Sequence, residues 1–314
     1  MSTLSNAKIV AVVGTTASGK TKLGVDLARK FNGEIVSADS RQVYKGMDVG
    51  TGKDLADYKV KTWFGKTVDI PYHLIDIAEP SEDFDLAQFQ KKAYQVIDDI
   101  SARGKLPILV GGTGLYAQAV VEGYQLSEAG RDEKLRQQAE AKDLDQLWRD
   151  IRQLDPDFAA RINTSDRNNK VRLVRYWEKL KQGSKNKGVS RSPRYNSLVL
   201  GVTYPRNKLE QRIYTRLIER LEQEGMIEEV ENLHDQGLSW PRLERFGLEY
   251  KWVAYYLQGK IDYREMVDNF YQEINKFDQR QVAWLKRWEK QGRKIHWIKN
   301  KKQARSRVKK FLKE

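Results

Sequence analysis

Cysteine is absent from the 314 residues, so the chain has no disulfide, no thiolate metal centre and no cysteine nucleophile. Three histidines leave little material for an imidazole metal site, and any bound metal is expected to be Mg²⁺ held by oxygen. No apolar run approaches the roughly 20 residues of a membrane span. The opening MSTLSNAKIVAVVG reaches its glycine too soon to serve as a signal peptide, so a cytoplasmic protein is expected. Acids are the scarcer charge, 43 against 57 Lys and Arg, a formal net of +14. The deficit is concentrated: residues 276 to 314 hold fifteen Lys or Arg against Asp278, Glu289 and Glu314. Such a basic tail is either a solvated surface or a contact for a polyanion, whose phosphates release counterions on binding. Composition does not choose between them.

What is present is globular in character: 39% hydrophobic and 10% aromatic residues in a chain long enough for one to two domains. The first 120 residues alternate between strand and helix patterns. Lys8–Val13 is an apolar, β-rich run and Thr21–Phe31 has helical spacing. Gly33–Ser37 reads as a second strand, Gln88–Arg103 as a helix, and Leu106–Val110 as a third strand ending in glycines. That order predicts an α/β parallel sheet with ligands at the strand C-termini. From Tyr124 to Tyr195 the strand signal vanishes, leaving helical segments such as Glu133–Leu154 and Lys170–Lys181 and then a Gly, Ser and Lys-rich stretch, Gln182–Arg194. Ser197–Val202 reads as a returning strand and Arg206–His234 as one long helix. The expected organisation is a P-loop NTPase-like core from residues 1–123 and 196–314, interrupted by a helical insertion at 124–195.

Gly14-Thr15-Thr16-Ala17-Ser18-Gly19-Lys20-Thr21 fits G-x-x-x-x-G-K-[ST] between a strand and a helix. The glycines let the backbone wrap around a diphosphate or triphosphate, the amides and Lys20 face the phosphates, and the Thr21 hydroxyl reaches Mg²⁺. The loop leaves open whether the phosphates are transferred or discarded. Asp39 closes the second strand at the same sheet edge, where it could accept a proton; alternatively it caps a turn. Thr113 lies in a second glycine turn, Val110-Gly-Gly-Thr-Gly-Leu-Tyr116, and should face Asp39 across the cleft. The third strand ends in glycines rather than the Mg²⁺-holding Asp of a hydrolase, which disfavours NTP hydrolysis.

With these segments in order, residues 9 to 288 resemble the bacterial tRNA dimethylallyltransferases, or tRNA isopentenyltransferases. The likeness rests on the phosphate loop, the stretch Asp39-Ser-Arg-Gln-Val-Tyr-Lys-Gly-Met-Asp-Val-Gly-Thr51, Tyr72-His-Leu-Ile-Asp-Ile77 and Gly104-Lys-Leu-Pro-Ile-Leu-Val-Gly-Gly-Thr-Gly-Leu-Tyr116. It continues through Asp155-Pro-Asp-Phe-Ala-Ala-Arg-Ile162, Arg172-Leu-Val-Arg175, Pro205-Arg206 with Arg212 and Arg216, and Arg280-Gln-Val-Ala-Trp284. The resemblance implies that the loop, with Arg212 and Arg216, binds the diphosphate of dimethylallyl diphosphate. It further implies that the acceptor is the exocyclic amine of the adenosine beside the anticodon, in an anticodon stem-loop held between core and insertion. Asp39 would match the family's general base, Thr113 its partner and Lys20 a catalytic cation. Contacts to tRNA would come from Asp39, Ser40, Arg41, Gln42, Thr113, Arg172, Arg175, Arg245, Tyr250, Lys251 and Arg280. The expected state is a monomer.

This chain departs from the family pattern at several positions. Thr15 stands where proline is common, and Gly52-Lys53-Asp54 where Ala-Lys-Pro is usual. Leu248-Glu249-Tyr250-Lys251 replaces Ile-Gly-Tyr-Lys, Val171 replaces a glutamine, and Asp278-Gln-Arg-Gln281 replaces Ala-Lys-Arg-Gln. Glu249 and Asp278 would fall where RNA contacts are expected. Prenylation of a free adenine nucleotide is therefore a rival reading, although it gives the insertion and basic tail nothing to hold. A small-molecule kinase and a nucleic-acid-binding protein with a degenerate site complete the alternatives.

Overall fold

Six of the seven residues of Lys8–Gly14 (β1) are buried, as expected for a strand covered on both faces. In the computed structural model, which describes residues 7–61, 65–126, 132–183 and 190–314, this strand lies within a parallel sheet. Along the chain follow α1 (Lys20–Phe31), β2 (Gly33–Ser37), an antiparallel hairpin of β3 (Lys59–Lys61) and β4 (Thr67–Asp69), β5 (Tyr72–His73), α2 (Leu86–Ala102), β6 (Leu106–Gly111) and α3 (Gly114–Glu122). Next come α4 (Glu133–Glu140), α5 (Leu144–Leu154), α6 (Pro156–Arg161), α7 (Thr164–Arg167) and α8 (Lys170–Lys181). The chain then returns through β7 (Asn196–Val202), α9 (Arg206–Glu222), α10 (Met226–Asp235), α11 (Trp240–Phe246), α12 (Leu248–Leu257), α13 (Tyr263–Lys290), β8 (His296–Trp297) and α14 (Lys301–Lys313).

The main sheet has the order β5-β2-β6-β1-β7-β8, every pair parallel, with Val12 opposite both Val110 and Leu200. Alternation along β1 sends Ile9, Ala11 and Val13 to one face, where they meet Phe89 and Ile97 of α2, Val120 of α3 and Trp288 of α13. Val10 and Val12 go to the other, against Leu27 of α1 and Val308 of α14. A separate helical core joins α9 to α13 with Val43, Tyr44 and Met47. Contacts divide the chain at Gly123/Tyr124 and at Ser192/Pro193. The inserted unit has a core of its own built on Leu147, Ile151, Leu173, Val174 and Trp177. Among the described residues no helix is long and apolar enough to cross a membrane.

Three local expectations need correction. Glu133–Leu154 is two helices, because Asp143 caps α5 reciprocally with Gln146 and so starts a new helix. Arg206–His234 is also two, parted at Gly225, whose φ of 79° is left-handed. The Gly, Ser and Lys-rich stretch at 182–194 lies partly outside the described residues, at 184–189. The basic stretch 276–314 is no appended tail. It contributes the end of α13, the edge strand β8, and α14, which buries Ala304, Val308 and Phe311 against the sheet layer. Its cations therefore decorate a structural layer.

Candidate active site

The phosphate loop is shaped by two left-handed residues, Ala17 at φ 53° and Gly19 at φ 80°. The turn folds back on Thr15, whose carbonyl accepts the Ser18 hydroxyl at 2.7 Å and the Lys20 ammonium at 2.5 Å. Gly19 occupies the N-cap of α1 without a side-chain cap, so among the described residues the first-turn amides have no capping side chain and carry the positive end of the helix dipole. Two partners clamp the loop from outside. Arg212 of α9 donates Nε to the Ala17 carbonyl at 2.8 Å, and Gln281 of α13 accepts the Thr16 N–H at 2.8 Å. Gln281 also donates Nε2 to the Gly112 carbonyl at 2.9 Å, tying the two glycine turns together. Burial, the largest influence on Lys20, lowers its ammonium to about 8; Asp39 opposes this, Arg216 adds to it and Asp278 opposes it.

Two cavities meet at this loop. The larger, about 880 Å³, runs from Lys20 and Thr21 past Lys53, Asp54 and Asp57 to Arg212 and Arg216. The smaller, about 310 Å³, is lined by Asp39, Ser40, Arg41, Gln42, Thr113 and Glu249 together with Phe277, Arg280 and Trp284. Ala17, Lys20, Thr21, Asp54 and Arg216 line both. A ligand with its anionic end in the first and its reacting end at this shared wall would meet a second ligand seated in the other.

Asp39 serves its turn and still faces the cavity: Oδ1 accepts the Arg41 N–H at 3.0 Å, while Oδ2 has no hydrogen-bond partner among the described residues. Thr113 Oγ1 accepts the Ser40 N–H at 3.1 Å, so the second glycine turn packs directly against the Asp39 segment with no cleft between Thr113 and Ser40. Gln42 is held on both ends, accepting from the Ser37 hydroxyl at 2.9 Å and donating to the Gly52 carbonyl at 3.0 Å. Arg41 donates Nη1 to Glu249 Oε2 at 3.0 Å and lies over Phe277.

Other sequence candidates are placed differently. Tyr250 is fully buried and its hydroxyl donates to Glu229 Oε1 at 2.7 Å, so it is a packing residue with no face for RNA. Glu249 turns to Arg41; Arg245 is exposed 3.7 Å from Asp83, and Lys251 lies over the Trp252 ring at 4.2 Å. Asp278 is buried, 3.7 Å from Arg206, and burial raises its carboxyl. Neither acid projects as free charge onto an open surface. Arg280 is exposed beside Phe277. In the inserted unit, Arg172 and Arg175 stand exposed on α8, with Arg172 paired to Asp166.

Sequence reasoning passed over Arg220, Gln281 and Asp54. Arg212, Arg216 and Arg220 recur at every fourth position of α9, a one-face stripe that periodicity could have revealed. Gln281 lies in Arg280-Gln-Val-Ala-Trp284, where its side-chain type alone assigns no role. For Mg²⁺ the oxygen at hand in the phosphate loop is the Thr21 hydroxyl, since Asp54 is paired with Arg216. Among the described residues no group of three or more His, Cys, Asp or Glu forms a cage. That donor set suits a cation that takes most of its ligands from a diphosphate and water.

The family model described as IPP transferase matches residues 42–288, and one described as Isopentenyl transferase matches residues 7–62. The chain is 44% identical over 296 residues to tRNA dimethylallyltransferase 2 of Shewanella sediminis, covering 94% of each protein. The crystal structure of full-length tRNA isopentenylpyrophosphate transferase from Bacillus halodurans is similar at a TM-score of 0.69 and 34% identity, over 98% of this chain and 97% of that one. A eukaryotic dimethylallyltransferase crystallised acting on tRNA is similar at a TM-score of 0.73 and 26% identity, over 89% of this chain and 70% of that one.

Proposed function

This chain belongs to the IPP transferase family of tRNA dimethylallyltransferases and is a prenyl-transferring enzyme acting on tRNA, and from that premise we propose how its two cavities divide the work. The carrying observation is the wall they share at Lys20, Thr21 and Arg216, with Asp39 on the acceptor side. Dimethylallyl diphosphate takes the larger cavity, its diphosphate on the loop amides, Lys20, Arg212 and Arg216. The target adenine, drawn out of its stack, takes the smaller one. The exocyclic nitrogen forms a bond to C1 of the prenyl group as the C–O bond to diphosphate breaks. The amine proton passes to Asp39 Oδ2, and the departing charge is met by Lys20 and Arg216. Mg²⁺, held by Thr21 and the diphosphate, would supply further neutralisation of that leaving group. The adenosine beside the anticodon is the acceptor, Arg172 and Arg175 on the inserted unit meet RNA phosphates, and the enzyme works as a cytoplasmic monomer.

The rival acceptor, a free adenine nucleotide, drew its support from Glu249 and Asp278 as acids on an RNA path. Glu249 is instead the counter-ion of Arg41, and Asp278 is buried. The test incubates the purified protein with dimethylallyl diphosphate and Mg²⁺, offering an anticodon stem-loop or adenosine monophosphate. Prenylated stem-loop with little prenylated monophosphate is expected; the reverse would overturn the acceptor assignment. Lys20→Ala and Thr21→Ala are expected to abolish transfer in a folded protein.

A further inference from the structure

In the segment between β2 and β3, Gly52 at φ 62° and Asp54 at φ 45° are left-handed, at the positions where the sequence leaves the usual Ala-Lys-Pro. Neither usual residue suits this backbone: proline is held near φ −65°, and alanine is strained at positive φ. Gly52 has a second reason to lack a side chain, since a Cβ there would overlap the Arg220 guanidinium and approach Arg216 Nη2 to 3.0 Å. The space so cleared brings the two arginines onto Asp54. Its Oδ2 is ion-paired with Arg216 Nη2, and its Oδ1 lies 3.9 Å from Arg220 Nη2. Lys53 fixes the segment from beneath, fully buried and donating to the Tyr44 carbonyl at 2.8 Å, to Asp48 at 2.5 Å and to Asp76. Asp54 is thus a positioned carboxylate, about one-third exposed, in the wall common to both cavities.

We propose that Asp54 is an internal rival of the diphosphate for Arg216. It holds the guanidinium in the free enzyme, yields it when the donor arrives, and retakes it as inorganic pyrophosphate leaves. The inference rests on the reading that Arg216 meets the diphosphate. The Nη2 edge of Arg216 that holds Asp54 must release it to meet a phosphate there, so the Asp54 pair is subtracted from diphosphate affinity. The remaining carboxylate also repels the incoming phosphates. The arrangement keeps the product from binding as tightly as Lys20, Arg212 and Arg216 would otherwise hold it.

Asp54→Asn tests this well, because asparagine tolerates left-handed backbone and keeps the shape while losing the charge. Binding of inorganic pyrophosphate in MgCl₂ is measured by calorimetry, with a thermal melt to verify folding. Asp54→Asn is expected to tighten binding roughly 2- to 5-fold, the upper part of the range of a partly exposed ion pair converted to affinity. Asp57→Asn removes a carboxylate from the same cavity that pairs with Lys22 at 3.8 Å instead of Arg216, and is expected to change the affinity less than about twofold. In an Arg216→Gln background, Asp54→Asn is expected to lose its effect. Unchanged or weaker binding by Asp54→Asn, equal tightening by Asp57→Asn, or tightening that survives Arg216→Gln would each overturn the proposal. Undisturbed pyrophosphate binding by Lys20→Ala would instead overturn the phosphate-loop reading, and the role of Asp54 with it.

Discussion

Arg41 and Glu249 lie 208 residues apart in sequence and meet at 3.0 Å in the wall of the smaller cavity. Glu249 is 9% exposed, and burial raises its carboxyl against the pull of Arg41 and Arg220. Removing one partner of a buried pair strands the other. Glu249→Gln is therefore expected to destabilise the fold by about 1–3 kcal/mol, measured as a lower urea midpoint with an unchanged slope. A midpoint equal to that of the parent would show that the pair is not held in solution.

The Lys20 ammonium sets a pH limit on donor binding. With burial lowering it to about 8, the free enzyme loses this cation as pH rises through that value, and a diphosphate prefers the charged form. Taken as a ratio to Lys20→Arg at each pH, which cancels the titration of pyrophosphate itself, the parent's pyrophosphate dissociation constant is expected to be flat below about pH 7.5 and to rise up to tenfold per unit above about pH 8.5. Lys20→Arg stays charged and should bind more weakly than the parent where the ratio is flat. A ratio flat to about pH 10 would remove Lys20 from the diphosphate.

Asp39 offers a separation of roles within one side chain. Asparagine still supplies the acceptor that holds the Arg41 N–H, but cannot take a proton; alanine does neither. Asp39→Asn should lower kcat by about 10²–10⁴ while leaving stem-loop and donor affinity near parental values. Asp39→Ala should add a loss of acceptor affinity as the turn relaxes. If asparagine retains kcat within a factor of about three, proton acceptance belongs elsewhere.

Gln281 joins the Thr16 amide to the Gly112 carbonyl and so couples the two glycine turns. Gln281→Glu keeps the acceptor but puts an anion against a carbonyl and beside the diphosphate path. Both KM values should rise together, with the donor more affected, whereas a defect confined to kcat would assign Gln281 to the chemistry.

The basic C-terminal segment calls for charge reversal in place of deletion. Deleting residues after Trp288 takes away β8 and α14 and bares the apolar faces that Ile298, Val308 and Phe311 cover, so an insoluble product is expected. Lys302→Glu, Arg307→Glu and Lys309→Glu lie on the exposed side of α14 and spare the core. If that face meets RNA phosphates, the combined variant lowers the log–log salt slope of stem-loop binding by about two to three. An unchanged slope would make it a solvated surface.

The amino-acid sequence by itself determined the strand–loop–helix at residues 8–31, the parallel core and the phosphate loop. These depend on local period and on glycines whose conformational freedom is read at single positions. It also set Asp39 and Thr113 at one sheet edge, because β2 and β6 end there and are neighbours. Tertiary structure alone decided the charge partners. Whether Glu249 faces RNA or Arg41, and whether Asp54 meets Arg216, depends on approaches between α9, α12 and the segment after β2, separated by some 160 to 210 residues. The same holds for the C-terminal cations. Two residues of β8 carry too little pattern to announce a strand, and only pairing with β7 turns a basic run into the closing edge of the sheet.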